Sequence, residues 1–205
     1  NNLKNIGLAA HSYHDANKRL PFNGFTGTAG GYAYTTAPTA TRYTSGSWGW
    51  QLLPFIDQAP LFNSANANGA GIAGYMCPGR GRPTSQTTTP ANAPWSDFVI
   101  NPYLNDPAGG LAVADTMRTL VGITDGSSNT VFFGHGQIHP SDYSLATTAG
   151  SYRDSVLVGG TAATALQVGP TFMRDSSTGT VTVQGAARGW GGPYSQGCLI
   201  AMGDA

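Results

Sequence analysis

Two different spacings of apolar residues divide the chain. Leu3, Ile6, Ala10, Tyr13 and Asn17 recur at three- and four-residue steps, with Leu8 beside them. This is one face of an α-helix, so the pattern predicts an amphipathic helix from Leu3 to about Lys18. Leu20-Pro21 should close it, because the residue before a proline avoids the helical region. No capping residue precedes this helix, so its first N–H groups lack partners unless it continues upstream. A Gly/Thr-rich loop follows, "NGFTGTAGGYAYTTAPTATRYTSGS", and then "WGWQLLPFIDQAPLFNSA", broken by Pro54 and Pro60 into two short helical turns. "TSQTTTPANAP" reads as another loop.

Beyond residue 95 the spacing changes to short β-type runs between turn signals. These are "DFVINPYL", "TVFFGHGQI", "DSVLVGG", "TALQVGPTFMRD", "GTVTVQG" and "GCLIAMGD". Strands in series after one helix predict the α+β class, with the N-terminal helix packed on an antiparallel β-sheet and long Gly/Thr-rich loops between elements. A single domain over residues 1–205 is expected, with a helix at 1–20, a loop-rich region with short helices at 21–94 and a β-rich region at 95–205.

Composition narrows the functional classes. Asp, Glu, Lys and Arg make up 10% of the 205 residues, against about 25% in an average soluble domain. Disorder does not follow, because the chain carries 4 Trp, 9 Tyr and 8 Phe, enough aromatic surface to build a core. The formal net charge is +0, which offers no electrostatic footprint for nucleic acid or an anionic membrane. No apolar run reaches the length of a bilayer span.

The candidate chemistry is sparse. His11 and His14, followed by Asp15, share a helical face, and His135 and His139 lie four apart in "HGQIH". Together the four histidines could hold zinc, although no H-E-x-x-H motif is present and "GHGQIHP" carries helix breakers. The plainer reading is that one histidine fills the helix–sheet seam and the others are surface groups. "GSS" at Gly126 to Ser128 is no nucleophile elbow, "GRGRP" at Gly79 to Pro83 opens no helix and is no phosphate loop, and the carboxylates are scattered. No enzymatic activity is expected. In "GITDGSSNTVFFG", Asp125-Gly126 marks a tight turn whose side chains can bond free backbone groups. Asp125 and Asn129 could also hold Ca²⁺, but one carboxylate is thin for that ion. Trp48, Trp50, Trp95 and Trp190 could stack sugars or fill a core or contact. Cys77 and Cys198 stand far apart in no metal-type spacing, and both a disulfide and two buried thiols remain open at this point.

The stretch "NNLKNIGLAAHSYHDANKRLP" resembles the segment that follows the hydrophobic helix in a family of bacterial prepilin-like proteins. That family is a domain of unknown function, listed also with extracellular solute-binding proteins. Its members resemble type II secretion pseudopilins and type IV pilins at the N-terminus. Further landmarks are "SWGWQLLPFIDQAPLFN", "YMCP" at Tyr75 to Pro78, the turn with Asp125, Gly126, Asn129 and Thr130, and "WGGPYSQGCLIAMGDA" ending near Asp204. The family carries an H-x9-D-G motif there. Here Tyr194 stands where that histidine is expected and Ala205 where the glycine is. Cys77-Pro78-Gly79-Arg80 replaces the family's "CPSD", and His135 replaces an acidic residue, so roles tied to those residues do not carry over.

The resemblance implies an extracellular or periplasmic head, anchored to the membrane in its full-length form through an apolar helix upstream of Asn1. Self-association and pilin-like partner subunits would run through that helix, and a neutral surface suits packed copies. An even cysteine count in such an exported chain leads to the expectation of a Cys77–Cys198 disulfide. The competing expectation is a binding module for an extracellular solute or glycan, built on exposed Trp and Tyr.

Overall fold

The computed structural model describes residues 1–24, 46–63, 71–85, 94–105, 115–140, 143, 155–160, 164–165, 172–175 and 189–204. Helix α1 spans Asn2–Asn17 and buries Leu3, Ile6, Gly7, Ala9, Ala10 and Tyr13. This is the stripe the spacing predicts, except that Leu8 is exposed beside it and Asn17 is exposed and donates through Nδ2 to the Tyr13 carbonyl at 3.0 Å. The helix also ends ahead of Pro21. Lys18 turns into the left-handed region (φ 57°) and its N–H bonds the His14 carbonyl, a cap that stops the helix by itself. At the other end, Asn2 donates through Nδ2 to the carbonyls of Ala73 and Met76, pinning α1 to the turn at Ala73–Tyr75.

Two short helices follow, α2 (Trp48–Gln51) and α3 (Ala59–Asn63), separated by a 3₁₀ turn at Leu53–Phe55. The Ser47 hydroxyl caps α2 by accepting from Gly49 N and also reaches the Val156 carbonyl. Gly49 has no room for a side chain, since a Cβ there would lie 2.5 Å from the Val156 side chain.

Five strands complete the described fold: β1 (Phe98–Ile100), β2 (Val131–His135), β3 (Phe172–Arg174), β4 (Trp190–Gly192) and β5 (Ile200–Met202). β1, β2 and β5 form an antiparallel sheet in the order β1-β2-β5, with an irregularity between Val131 and Phe133. β3 and β4 pair in parallel, and a bridge from Gly136 to Trp190 joins the two sheets. The class is therefore α+β with a mostly antiparallel sheet. The parallel pair departs from expectation, and so does β4 itself, whose "WGG" has no alternation to read. "DSVLVGG" is corrected from strand to turns over its described part, Ser155 to Gly160. "GTVTVQG" and most of the Gly/Thr-rich loops lie outside the described residues.

One face of the sheet meets α1. Leu3, Ile6, Ala10 and Tyr13 join Phe98, Ile100, Phe132, Phe133 and Ala201 in a single apolar cluster with Trp48, Leu52, Leu53 and Tyr75. Trp48 lies at its centre, 5.2 Å from the Tyr75 ring and 5.1 Å from Phe133. Its indole N–H donates to the Thr164 carbonyl at 2.8 Å, and the Tyr75 hydroxyl donates to the Gly49 carbonyl at 2.7 Å. The other face carries the cross-strand row Val99, Gly134, Ile200. Trp190 lies over Gly134 so closely that a Cβ would sit 2.7 Å from its ring, which explains a glycine in mid-strand.

Candidate functional site

Most of the buried charged side chains of the described residues, Arg82, Asp97 and Asp175, collect around Arg80, which ends the 3₁₀ turn Pro78–Arg80, while the buried Asp115 pairs separately with Arg19. Gly81 follows in the left-handed region (φ 59°), so the chain reverses tightly and aims the guanidinium inward. Arg80 Nε donates to Asp175 Oδ2 at 2.8 Å and Nη2 to Asp175 Oδ1 at 3.2 Å, a two-point clasp of one carboxylate. Nη2 also reaches the carbonyls of Gly136 (2.7 Å) and Gly191 (3.0 Å), and Nη1 reaches the Asp97 carbonyl (3.2 Å). One side chain thus ties together the loop after β2, strand β4 and the residue before β1.

The carboxylates are equally committed. Asp97 Oδ1 takes Arg82 Nη1 at 2.6 Å and stands 3.2 Å from Arg80 Nη1, while Oδ2 accepts from Cys77 N at 2.7 Å. Asp175 Oδ1 accepts from Ile138 N at 2.9 Å and Oδ2 from the Tyr143 hydroxyl at 2.5 Å. Arg82 lies over the Trp95 ring, 4.8 Å from its centroid. Burial alone would raise the Asp97 carboxyl, but Arg80, Arg82 and the Cys77 N–H together hold it below the usual carboxylate range. Burial likewise opposes the Arg80 charge, yet Asp97 and Asp175 outweigh it and raise the guanidinium further. Tyr143 is pushed up by burial and by its bond to Asp175. Every oxygen here serves a bond within the cluster, so neither carboxylate is presented as a general acid or base.

A short hairpin stands over this cluster. Tyr194 bridges to Gly197, where φ is 132°, and the residues from Tyr194 to Gly197 are exposed. The Tyr194 hydroxyl lies 3.7 Å from Cys77 Sγ, a contact that raises the phenol. Beneath it His135 is fully buried, stacked on Phe98 at 5.1 Å with its ring 6.0 Å from that of Tyr194. Its Nδ1 accepts from Leu199 N at 3.2 Å, while its own backbone N–H donates to the Leu199 carbonyl at 3.0 Å. Packing leaves no slack: a Cβ on Gly192 would fall 2.9 Å from His135 Nδ1 and 3.1 Å from Cys198 Cα.

The expected disulfide is not formed. Cys77 is a buried free thiol and Cys198 a half-buried one. Cys77 Sγ is taken up by the Tyr194 hydroxyl, while burial pushes the Cys198 thiol up. The histidines are distributed, too. His11 stacks on Phe132 at 6.2 Å, and His14 Nε2 accepts from Leu120 N at 3.3 Å with Asp15 3.6 Å from its Nδ1. His135 lies under the hairpin, and His139 follows in the half-buried chain after β2. Among the described residues no three His, Cys, Asp or Glu side chains stand together as a metal site.

At the Asp125 turn, Asn129 Nδ2 donates to the Asp125 carbonyl and Thr130 Oγ1 to the Gly126 carbonyl, both at 3.0 Å. Gly126 supplies the positive φ of 85°, and Gly203 N closes the turn against β5 through the carbonyls of Ser127 and Thr130. Asp204 is exposed beside it. Trp48, Trp95 and Trp190 are buried, and Trp50 stacks on Phe62 at 4.4 Å. The exposed large apolar groups are elsewhere: Tyr194, Leu199 and Ile200 on the hairpin and β5, Phe172 and Met173 on β3, Leu8 on α1, and Tyr103, Met117 and Val121 in the chain between β1 and β2.

The sequence landmarks "YMCP", "FFGHG" and "WGGPYSQGC" thus meet at one place, joined by an arginine that motif reading set aside. Residues 1–73 match the model of a family described as a protein of unknown function (DUF1559), SBP_bac_10. No curated protein and no solved structure matches the chain. Among the described residues no helix is long and apolar enough to cross a membrane.

Proposed function

We propose that this chain is the head of a pilin-like or pseudopilin-like subunit, with a structural rather than enzymatic role in an extracellular or periplasmic assembly. The observation that carries the reading is an exposed apolar rim at the start of β5, one of the two edge strands of the described antiparallel sheet: Leu199 is 50% and Ile200 39% exposed, with Tyr194 beside them. A row of this kind on an edge strand, in a chain of 10% charged residues, suits packing against another subunit. One helix laid along an antiparallel sheet is consistent with the same reading. The committed carboxylates of the Arg80 cluster favour a scaffold over a reaction centre. A glycan-binding role loses its main donors, because the tryptophans are buried or already stacked.

The test is to isolate the product of the intact gene from its own cells and follow it into the membrane and sheared surface-filament fractions. Co-sedimentation with filaments or membrane is expected, reduced about tenfold in a Leu199→Glu, Ile200→Glu variant that keeps its thermal unfolding transition. Recovery of the wild-type product purely as a soluble monomer would overturn the proposal.

A further inference from the structure

The hairpin from Tyr194 to Gly197 is held down at its base by a bond that protonation abolishes. His135 Nδ1 accepts the Leu199 N–H, so the neutral imidazole carries its proton on Nε2. An imidazolium has N–H on both nitrogens and accepts nothing. The closed hairpin and a charged His135 are therefore mutually exclusive.

The ring is fully buried between Phe98 and the hairpin. The titratable and charged groups described around it are Tyr194 and Cys198 on the hairpin side, Cys77 beneath Tyr194, and the Arg80 cluster reached through the carbonyls of Gly136 and Gly191. That cluster pairs Arg80 and Arg82 with Asp97 and Asp175, and Tyr143 closes its far side. Both carboxylates are already committed to bonds within that cluster. An ordinary exposed imidazole, by contrast, takes its proton near pH 6.5.

We infer that His135 is a pH-sensitive latch: below about pH 6.5 it favours an open hairpin, swinging Tyr194 and Leu199 away from Cys77 and the end of β2. The sign follows from proton linkage. The open form binds one more proton than the closed form, so closure is complete above the ordinary imidazole range and is lost as pH falls through it. For a single proton the closed-to-open ratio falls by up to about tenfold per pH unit below that point. The latch is separate from the assembly proposal, since it concerns the isolated chain and not its partners.

Hydrogen–deuterium exchange tests it directly. Uptake in peptides covering Pro193 to Leu199, normalised to the intrinsic rate at each pH, should rise about tenfold or more between pH 7.5 and pH 5. Peptides from α1 and β1 should not change. The pH step should vanish in His135→Gln, whose side chain can accept the Leu199 N–H but does not titrate. If that variant does not fold, ¹⁵N spectra of the wild-type imidazole provide the second measurement. A neutral ring protonated on Nε2 at pH 7.5, titrating together with the Leu199 amide shift, is the expected result. Equal hairpin protection at both pH values, a loss shared evenly with α1 and β1, persistence of the step in His135→Gln, or an Nδ1-protonated ring at pH 7.5 would each overturn the inference.

Discussion

Trp48 and Arg80 are both buried, but opposite physics holds them. Around Trp48 the contacts are apolar and shape decides: Tyr75 and Phe133 tilt against the indole, and single hydrogen bonds satisfy its N–H and the Tyr75 hydroxyl. Around Arg80 the contacts are charged and the count of partners decides: every nitrogen of the Arg80 guanidinium has an acceptor and every carboxylate oxygen of Asp97 and Asp175 has a donor. A defect in the first region costs roughly the volume removed. A defect in the second costs whatever charge is stranded, so its penalty should depend on which partners remain.

The largest effect should come from stranding the carboxylates. Arg80→Met strips the buried Asp175 of the cation that clasps it and removes the donor to Gly136 and Gly191, a loss of roughly 3–5 kcal/mol in urea unfolding. Adding Asp175→Asn to Arg80→Met should recover part of that loss, which no volume argument predicts. Acid should find the same weakness. Because the Asp97 carboxyl is held below its ordinary range by its two arginines, its contribution is fully present above the unfolded value of about 3.9. It is lost as pH falls below that through the folded value. The cluster should therefore survive at pH 5, where the His135 latch is expected to be open, and the two transitions should separate in an acid titration.

The aromatic centre should respond by shape. Trp48→Phe removes part of the indole and the donor to the Thr164 carbonyl, costing about 2–3 kcal/mol by the same measurement. Gly134→Ala adds a single methyl group under Trp190 and should cost about 1–3 kcal/mol through overpacking. Pairing Gly134→Ala with Trp190→Leu should relieve the strain if the close approach is its source.

The apolar region was the legible one. The stripe from Leu3 to Tyr13 and the runs around Phe98, Phe133 and Ile200 carry their own periodicity, and the structure uses them as helix, strands and core. The second region was not legible. Arg80 reaches Asp97 and Asp175 across separations that no local spacing encodes, and "GRGRP" said only that no phosphate loop was there. Apart from the coincidence of two arginines in a chain so poor in charge, nothing marked them as buried. "WGG" became β4 because the glycines admit Gln137 and His135 at close range, a demand set by neighbours rather than by propensity. "DSVLVGG" erred the other way: Val156 is consumed by packing on Gly49 and by an N–H bond to the Pro94 carbonyl, without a ladder.

The smallest effect belongs to the turn before β2, where sequence alone left two uses for the same side chains. Asn129 faces the Asp125 carbonyl with its amide N–H₂, the donor end, and a cation would need the oxygen end. The turn is already closed by Thr130 on the Gly126 carbonyl and by Gly203 N on two carbonyls. Asn129→Ala should therefore cost only about 0.5–1 kcal/mol, the net value of one exposed hydrogen bond. Millimolar Ca²⁺ should leave the Tm of both wild type and variant unchanged. A Ca²⁺-dependent rise in the wild type that Asn129→Ala removes would mean that the amide flips to offer its oxygen. Asp125 and Asn129 would then form an ion site, and not solely the brace that seats β2 against β5.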